Sequence, residues 1–299
     1  MQILMRSAFS LALFILIAAS TAAAQNVATG TWTASTKNDK TDKINLSFER
    51  HLEKGGRNQM GAGYEFAELQ GLSREQVLNG GAAKFSLARE AGTIECEGTF
   101  QNGKGSGTFR FTGNQSFISA MKSRGFDFEK SSSKSKGGHD AEDRLFAATT
   151  LNVTTALADD LLSADFGKLD VDDLFKAAIF KVDSKFMREM KATGFPNLGM
   201  EELVKARIFK IDADFVARVT RMGFAKEPFE SLVKMQIFKV TPELVEQARG
   251  EGLTNLSVED LVKMQIFKID GEFIRQAKAE GVPLEIETLV RKRIGARSR

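Results

Sequence analysis

The segment Leu261-Val262-Lys263-Met264-Gln265-Ile266-Phe267-Lys268-Ile269-Asp270 recurs along the chain. Leu232 to Thr241, Leu203 to Asp212 and Leu174 to Asp183 repeat it with few changes, each displaced by 29 residues. Self-similarity at such a period marks supersecondary units that bury a shared core by stacking. Leu145 heads an earlier, degenerate copy with Thr150-Leu151-Asn152 in place of Ile-Phe-Lys, and Leu289 heads a truncated sixth at a step of 28. The columns Leu174, Leu203, Leu232, Leu261 and Ile179, Ile208, Ile237, Ile266 keep step, with Phe180, Phe209, Phe238 and Phe267 beside the isoleucines. Gly194, Gly223, Gly252 and Gly281 close successive units.

Each unit reads as two short helices. Ser257-Val258-Glu259-Asp260 supplies a cap and first-turn acids, and Leu261 to Phe267 the helix. Asp270 caps a second helix, as does Thr241 one copy earlier, with Pro242 at the first helical position where its missing N–H costs nothing. The closing glycine can take the left-handed conformation, and the apolar residue after it (Phe195, Phe224, Leu253 or Val282) suits the contact that accompanies such a cap. Helices of about two turns are marginal alone, so stacking must bury Leu, Ile and Phe. An all-α, solenoid-like array of five units and a partial sixth is expected over 141–299.

Residues 25–128 follow the other period. Lys43-Ile44-Asn45-Leu46-Ser47-Phe48-Glu49 alternates, and Phe85/Leu87, Ile94/Cys96 and Phe109/Phe111 do the same. Glu90-Ala91-Gly92 and Asn102-Gly103-Lys104-Gly105 punctuate them, predicting an antiparallel meander over 83–90, 93–101 and 106–112. Trp32 belongs to a first strand, and Tyr64 with Phe66 to another. Ser73-Arg74-Glu75-Gln76 opens one short helix and Asn114 caps another that ends before Gly125, giving a β-rich α+β domain. Phe117 to Phe126 closely matches Phe186 to Phe195. That helix is either a half-unit capping the array or a coincidental helix-Gly-Phe ending.

Between the two regions, residues 129–140 form a Ser/Lys/Gly-rich run expected to be a flexible linker, with His139 incidental in it. At the other end, Arg6 precedes an uncharged run of Leu, Ile, Phe and Ala closing on Ala22-Ala23-Ala24-Gln25. Residues 1–24 therefore read as a signal peptide cut after Ala24. No cysteine follows to carry a lipid, so a periplasmic or secreted protein without a membrane span is expected.

Composition removes several function classes. One Cys excludes an intrachain disulfide, and with only two His there is no Cys/His zinc set. Phe outnumbers Trp and Tyr by 24 to one of each, which suits a core better than a surface for stacking sugars or bases. Residues 140–290 hold 27 acidic against 20 basic residues, which speaks against nucleic acid. Cys96 falls on an apolar strand face, as a buried inert thiol would.

The repeats, with Glu-Leu-Val-Lys-x-x-Ile-Phe-Lys-Ile-Asp-x-x-Phe-Val spaced by Gly-Phe and Leu-Ser, resemble those of uncharacterised exported bacterial proteins. They are also similar to units in the extracytoplasmic tails of penicillin-receptor-type membrane metallopeptidases. The resemblance covers Leu145 to Ile294 and excludes the peptidase's His-Glu-x-x-His motif, which this chain lacks. It implies an accessory sensing or binding module of a bacterial envelope.

Two lysine columns recur. Lys176, Lys205, Lys234 and Lys263 follow Asp172, Glu201, Glu230 and Glu259 by four residues, the favourable order for pairing along one helix. Lys181, Lys210, Lys239 and Lys268 have no such partner and are the candidate binding residues, a ladder able to grip a polyanion or an acidic peptide. The tail Arg291-Lys292-Arg293, Arg297, Arg299 either meets an acidic membrane surface or ends the array solubly. No catalytic residue, metal ligand or cofactor is assigned. The leading expectation is a non-enzymatic envelope protein whose helices bind a protein or peptide. The rivals are a carboxylate-based hydrolase in the β-rich part and a polyanion or glycan binder using the Lys181 column.

Overall fold

A computed structural model of the chain describes residues 27–36, 42–51, 57–130, 141–165 and 167–297. The expected signal segment, His139 and nearly all of the expected linker lie outside the described residues. Six strands, β1 (Val27–Ser35), β2 (Lys43–His51), β3 (Arg57–Glu65), β4 (Gly81–Arg89), β5 (Gly92–Gln101) and β6 (Lys104–Gly113), form one sheet in the order β3-β2-β1-β6-β5-β4. Every neighbouring pair is antiparallel, so two three-strand meanders are joined through β1 and β6.

Alternation decides the faces. Ile44, Leu46 and Phe48, with Phe85, Leu87, Ile94, Cys96, Phe109 and Phe111, are all buried on one side. Thr31, Ser47, Glu97 and Thr108 point to the other. Burial pushes the Cys96 thiol up to about 12, which keeps it protonated and unreactive. The β5–β6 hairpin closes on Asn102 and Gly103, both at positive φ as a two-residue turn requires. Gly30 and Gly98 make room on the apolar face: a Cβ would stand 2.7 Å from the Phe109 ring at the first and 2.7 Å from Trp32 at the second. Tyr64 lies within β3 as expected of a strand residue, whereas Phe66 opens a 3-10 turn, Phe66–Glu68.

Helix α1 (Arg74–Asn79) covers one end of the apolar face; Ser73 Oγ accepts from the Gln76 N–H at 3.2 Å. The Gln76 side chain donates to the Ala82 carbonyl and not back to Ser73, so of the capping box that the Ser73 to Gln76 spacing suggests only the Ser73 half is made. Helix α2 (Gln115–Lys122) follows, capped by Asn114 and ended by Gly125 at φ 91°.

The centre of the apolar face is covered by α3 (Ala141–Leu151), the first helix of the repeat region. Phe146, wholly buried, stacks on Phe109 with centroids 5.4 Å apart and meets Phe48 and Phe111 edge-on. A polar clamp holds each end. Arg50 binds Asp143 at 2.8 Å and Glu142 at 2.6 Å, where the helix N-terminus favours acids. At the C-terminus Arg89 donates to the Thr149 and Thr150 carbonyls, and the Tyr64 hydroxyl donates to Thr150 at 3.1 Å. Carbonyls that the helix itself leaves unpaired are thereby satisfied. Burial raises the Tyr64 pKa well above the ordinary phenol range.

The remaining helices are α4 (Thr155–Leu162), α5 (Val171–Phe180), α6 (Ser184–Ala192), α7 (Met200–Phe209), α8 (Ala213–Arg221), α9 (Phe229–Ile237), α10 (Pro242–Gly250), α11 (Val258–Phe267), α12 (Gly271–Ala279) and α13 (Ile286–Arg297). The odd-numbered helices from α3 to α13 pack each on the next. Among the even-numbered, α2 packs on α4, α4 on α6 and α10 on α12. Helix α2 thus stands at the head of the second series, tied by Arg124 to Asp159 at 2.7 and 3.0 Å. The half-unit reading of Phe117 to Phe126 calls for such packing of α2 on α4. No helix among the described residues is long and apolar enough to cross a membrane.

Candidate binding surface

Repeat chemistry fixes the helix ends. The second helices α6, α8, α10 and α12 begin at Asp183, Asp212, Thr241 and Asp270, whose side chains accept from the backbone N–H three residues on. Gly194, Gly223, Gly252 and Gly281 follow the same helices at φ 102°, 97°, 107° and 72°, the conformation expected of them. The leucine column is inaccessible throughout, at 0 or 1% for Leu145, Leu174, Leu203, Leu232, Leu261 and Leu289.

The isoleucine column differs from expectation. Ile179, Ile208, Ile237 and Ile266 are 51, 51, 48 and 47% exposed, and Ile294, one partial unit later, is 51% exposed. Helical phase explains it. Five residues at about 100° each place the isoleucine about 140° around the helix from the buried leucine. The stack cannot cover both, and Phe180, Phe209, Phe238 and Phe267 lie between, partly buried. Of the large hydrophobic side chains exposed among the described residues, only Leu78 and Leu162 lie outside this column. One face of α5, α7, α9, α11 and α13 therefore carries a line of isoleucines.

The two lysine columns border that line and behave differently. Lys176 and Lys205 bind Glu201 and Glu230 at 2.6 Å, and Lys234 and Lys263 bind Glu259 and Glu287. The expected partner lay four residues back in the same helix; the close partner observed is the acid of the next unit, brought to the ammonium by the packing of neighbouring helices, and Lys176 keeps a second contact in its own helix with Asp173 at 3.4 Å. The hydrogen bond to Glu230 raises Lys205 above the usual lysine range, and that to Glu287 does the same for Lys263.

Lys181, Lys210, Lys239 and Lys268 are exposed and make no ion pair among the described residues. Each sits just past the end of a first helix at positive φ, 58°, 55°, 53° and 57°. The following residues Val182, Ile211, Val240 and Ile269 are buried, and each N–H reaches back five residues to a helix carbonyl. This is the glycine-type helix ending with lysine in the left-handed position. Asn152 takes the same place in the degenerate copy at φ 58°. A left-handed lysine is strained by about 1 kcal/mol relative to glycine, and recurrence alone, without backbone angles, does not reveal it.

Other groups are spoken for. Lys292 pairs with Glu280, and Arg293 lies 3.8 Å from the Phe273 ring centroid and donates to the Lys268 carbonyl. Part of the basic tail is thus used inside the molecule. Arg218, Arg221 and Arg249 border a small pocket between α8 and α10 that departs from the repeat pattern. On the polar sheet face an open, shallow depression holds Glu95 and Glu97, the latter paired with Lys84 at 2.7 Å. Among the described residues, no three His, Cys, Asp or Glu side chains are grouped to hold a metal.

No protein-family model, no curated protein and no solved structure matches the chain.

Proposed function

We propose that this is an exported, non-enzymatic binding or scaffold protein of a bacterial envelope, whose helical units stack as a solenoid and offer one face to a protein or peptide partner. The observation that carries the reading is the line of half-exposed isoleucines on successive helices. Exposed apolar side chains scattered singly are ordinary, but a contiguous apolar line framed by charge marks an interaction surface. Repeat arrays use such extended surfaces because each unit contributes the same side chain in register. The sheet, in this reading, anchors the first unit through α3 and supplies the end cap.

A photo-cross-linking residue placed at Ile237, and separately at Thr99 on the polar face of the sheet, tests it in the living cell. Cross-linking of one envelope protein from position 237 and not from 99 is expected. Cross-links from 99 alone would make the helices structural and reverse the assignment. Amino-terminal mass spectrometry of the exported protein is expected to find Gln25 first, and an intact Met1 in the membrane fraction would overturn export with cleavage.

A further inference from the structure

We infer that the partner is an acidic amphipathic α-helix lying along the stack, its apolar stripe on the isoleucines and its carboxylates on the Lys181 column. The inference rests on the binding-surface reading above and specifies its occupant. Three observations carry it: the spacing of the isoleucines, the unpaired charge beside them, and the retention of lysine at a strained position.

The spacing selects a helix. Ile179, Ile208, Ile237, Ile266 and Ile294 sit on helices packed one against the next, and packed helices stand about 8–10 Å apart. Seven residues of an α-helix advance about 10.5 Å and return the side chain to nearly the same face. One apolar residue per two turns therefore meets one isoleucine per unit. In an extended strand the matching advance is about three residues, which throws alternate side chains to opposite faces. Four steps span about 32–40 Å, the length of a helix of about 21–27 residues.

The charge selects its flank. Acids and lysines lie at opposite ends of the first helices, the isoleucines at the lysine end. Glu201, Glu230, Glu259 and Glu287 are held by Lys176, Lys205, Lys234 and Lys263. Asp183, Asp212 and Asp270, two residues beyond Lys181, Lys210 and Lys268, are occupied as helix caps. The second column is left without carboxylates, and a second copy of the chain, whose own acids on this face are held, offers none. A left-handed site that glycine fills without strain, and asparagine at low cost, nonetheless carries lysine in four copies. An ammonium at the C-terminal end of each helix complements the negative end of the helix dipole, which rationalises a cation there, but Asn152 closes the first copy without one. The four cations that border the isoleucines are the ones a partner's carboxylates can reach.

The test uses the purified chain beginning at Gln25 and three synthetic helices of about 28 residues sharing one heptad leucine stripe, with flanks of Glu, Gln or Lys. Fluorescence anisotropy is expected to show the Glu helix binding at least about tenfold more tightly than the Lys helix at low salt, with the difference shrinking at high salt. K210N/K239N/K268N, which keeps a residue tolerant of the left-handed conformation, is expected to erase that preference. I208S/I237S/I266S, which alters only exposed side chains, is expected to lose all three helices. Equal affinity for the Glu and Lys helices, a preference surviving the asparagine variant, no binding at all, or self-association of the chain abolished by the serine variant would each overturn the inference. If cross-links from Ile237 nonetheless map to a partner segment that is not acidic, the binding-surface reading stands and only the charge assignment falls.

Discussion

A lysine at φ 57° is the smallest feature with a consequence for the whole chain. Lys268 ends α11 in the conformation glycine prefers, and its N–H and that of Ile269 both turn back to the Met264 carbonyl. Replacing it by glycine relieves the Cβ contact at some cost in chain entropy, so K268G is expected to stabilise the protein by about 0.5 kcal/mol. Valine, β-branched at positive φ, is expected to destabilise it by about 1 kcal/mol or more. Urea unfolding of the two variants checks the sign of each. If the lysines serve the partner, K268G gains stability while losing affinity for the acidic helix, the usual trade at a site retained for function.

At the scale of elements, α3 decides how sheet and helices share a core. The polar clamps at its two ends were not legible in sequence: Arg50 and Asp143 lie 93 residues apart, and Arg89 reaches Thr149 across 60. Phe146 touches three rings from two strands, Phe48 of β2 and Phe109 and Phe111 of β6, and its removal leaves a void among them. Phe146→Ala is expected to cost about 3–5 kcal/mol, measured by urea unfolding, with sheet and helix signals moving together. The caps, by contrast, were readable. Asp or Thr before each second helix and glycine after it are local chemistry, and the structure places each where its residue type is favoured. The lysine and acid columns were also readable as partners, but within one helix. Which copy supplies the carboxylate depends on how neighbouring helices pack, and a single unit carries no trace of that.

For the whole molecule, contacts run from each odd-numbered helix to the next from α3 to α13, while the sheet packs on that series through α3. If the helices stack as the proposed solenoid, stability is a sum of nearest-neighbour terms. A fragment ending at residue 130 leaves the centre of the sheet's apolar face, with Phe48, Phe109 and Phe111, open to water. It is expected to aggregate or bind hydrophobic dyes, whereas extension to residue 165 restores α3 and gives a cooperative, dye-silent fold. Dye binding and a thermal melt of the two fragments distinguish them. A folded, soluble 25–130 fragment would show that the sheet needs no helix over it.

The amino-acid order by itself determined the strand faces, the 29-residue period, and the caps and closing glycines of the second helices. These follow from alternation, recurrence and capping, all encoded within a few residues of where they act. The exposed isoleucines were within reach too, since their phase against the buried leucines is simple angular arithmetic; reading columns by recurrence alone put them in the core. Tertiary structure alone decided that α3 closes the sheet, that each lysine pairs with the following unit, and that one face of the first helices keeps its apolar line uncovered. Those outcomes depend on distances between segments remote in the chain, where burial and charge are settled by neighbours and not by local pattern.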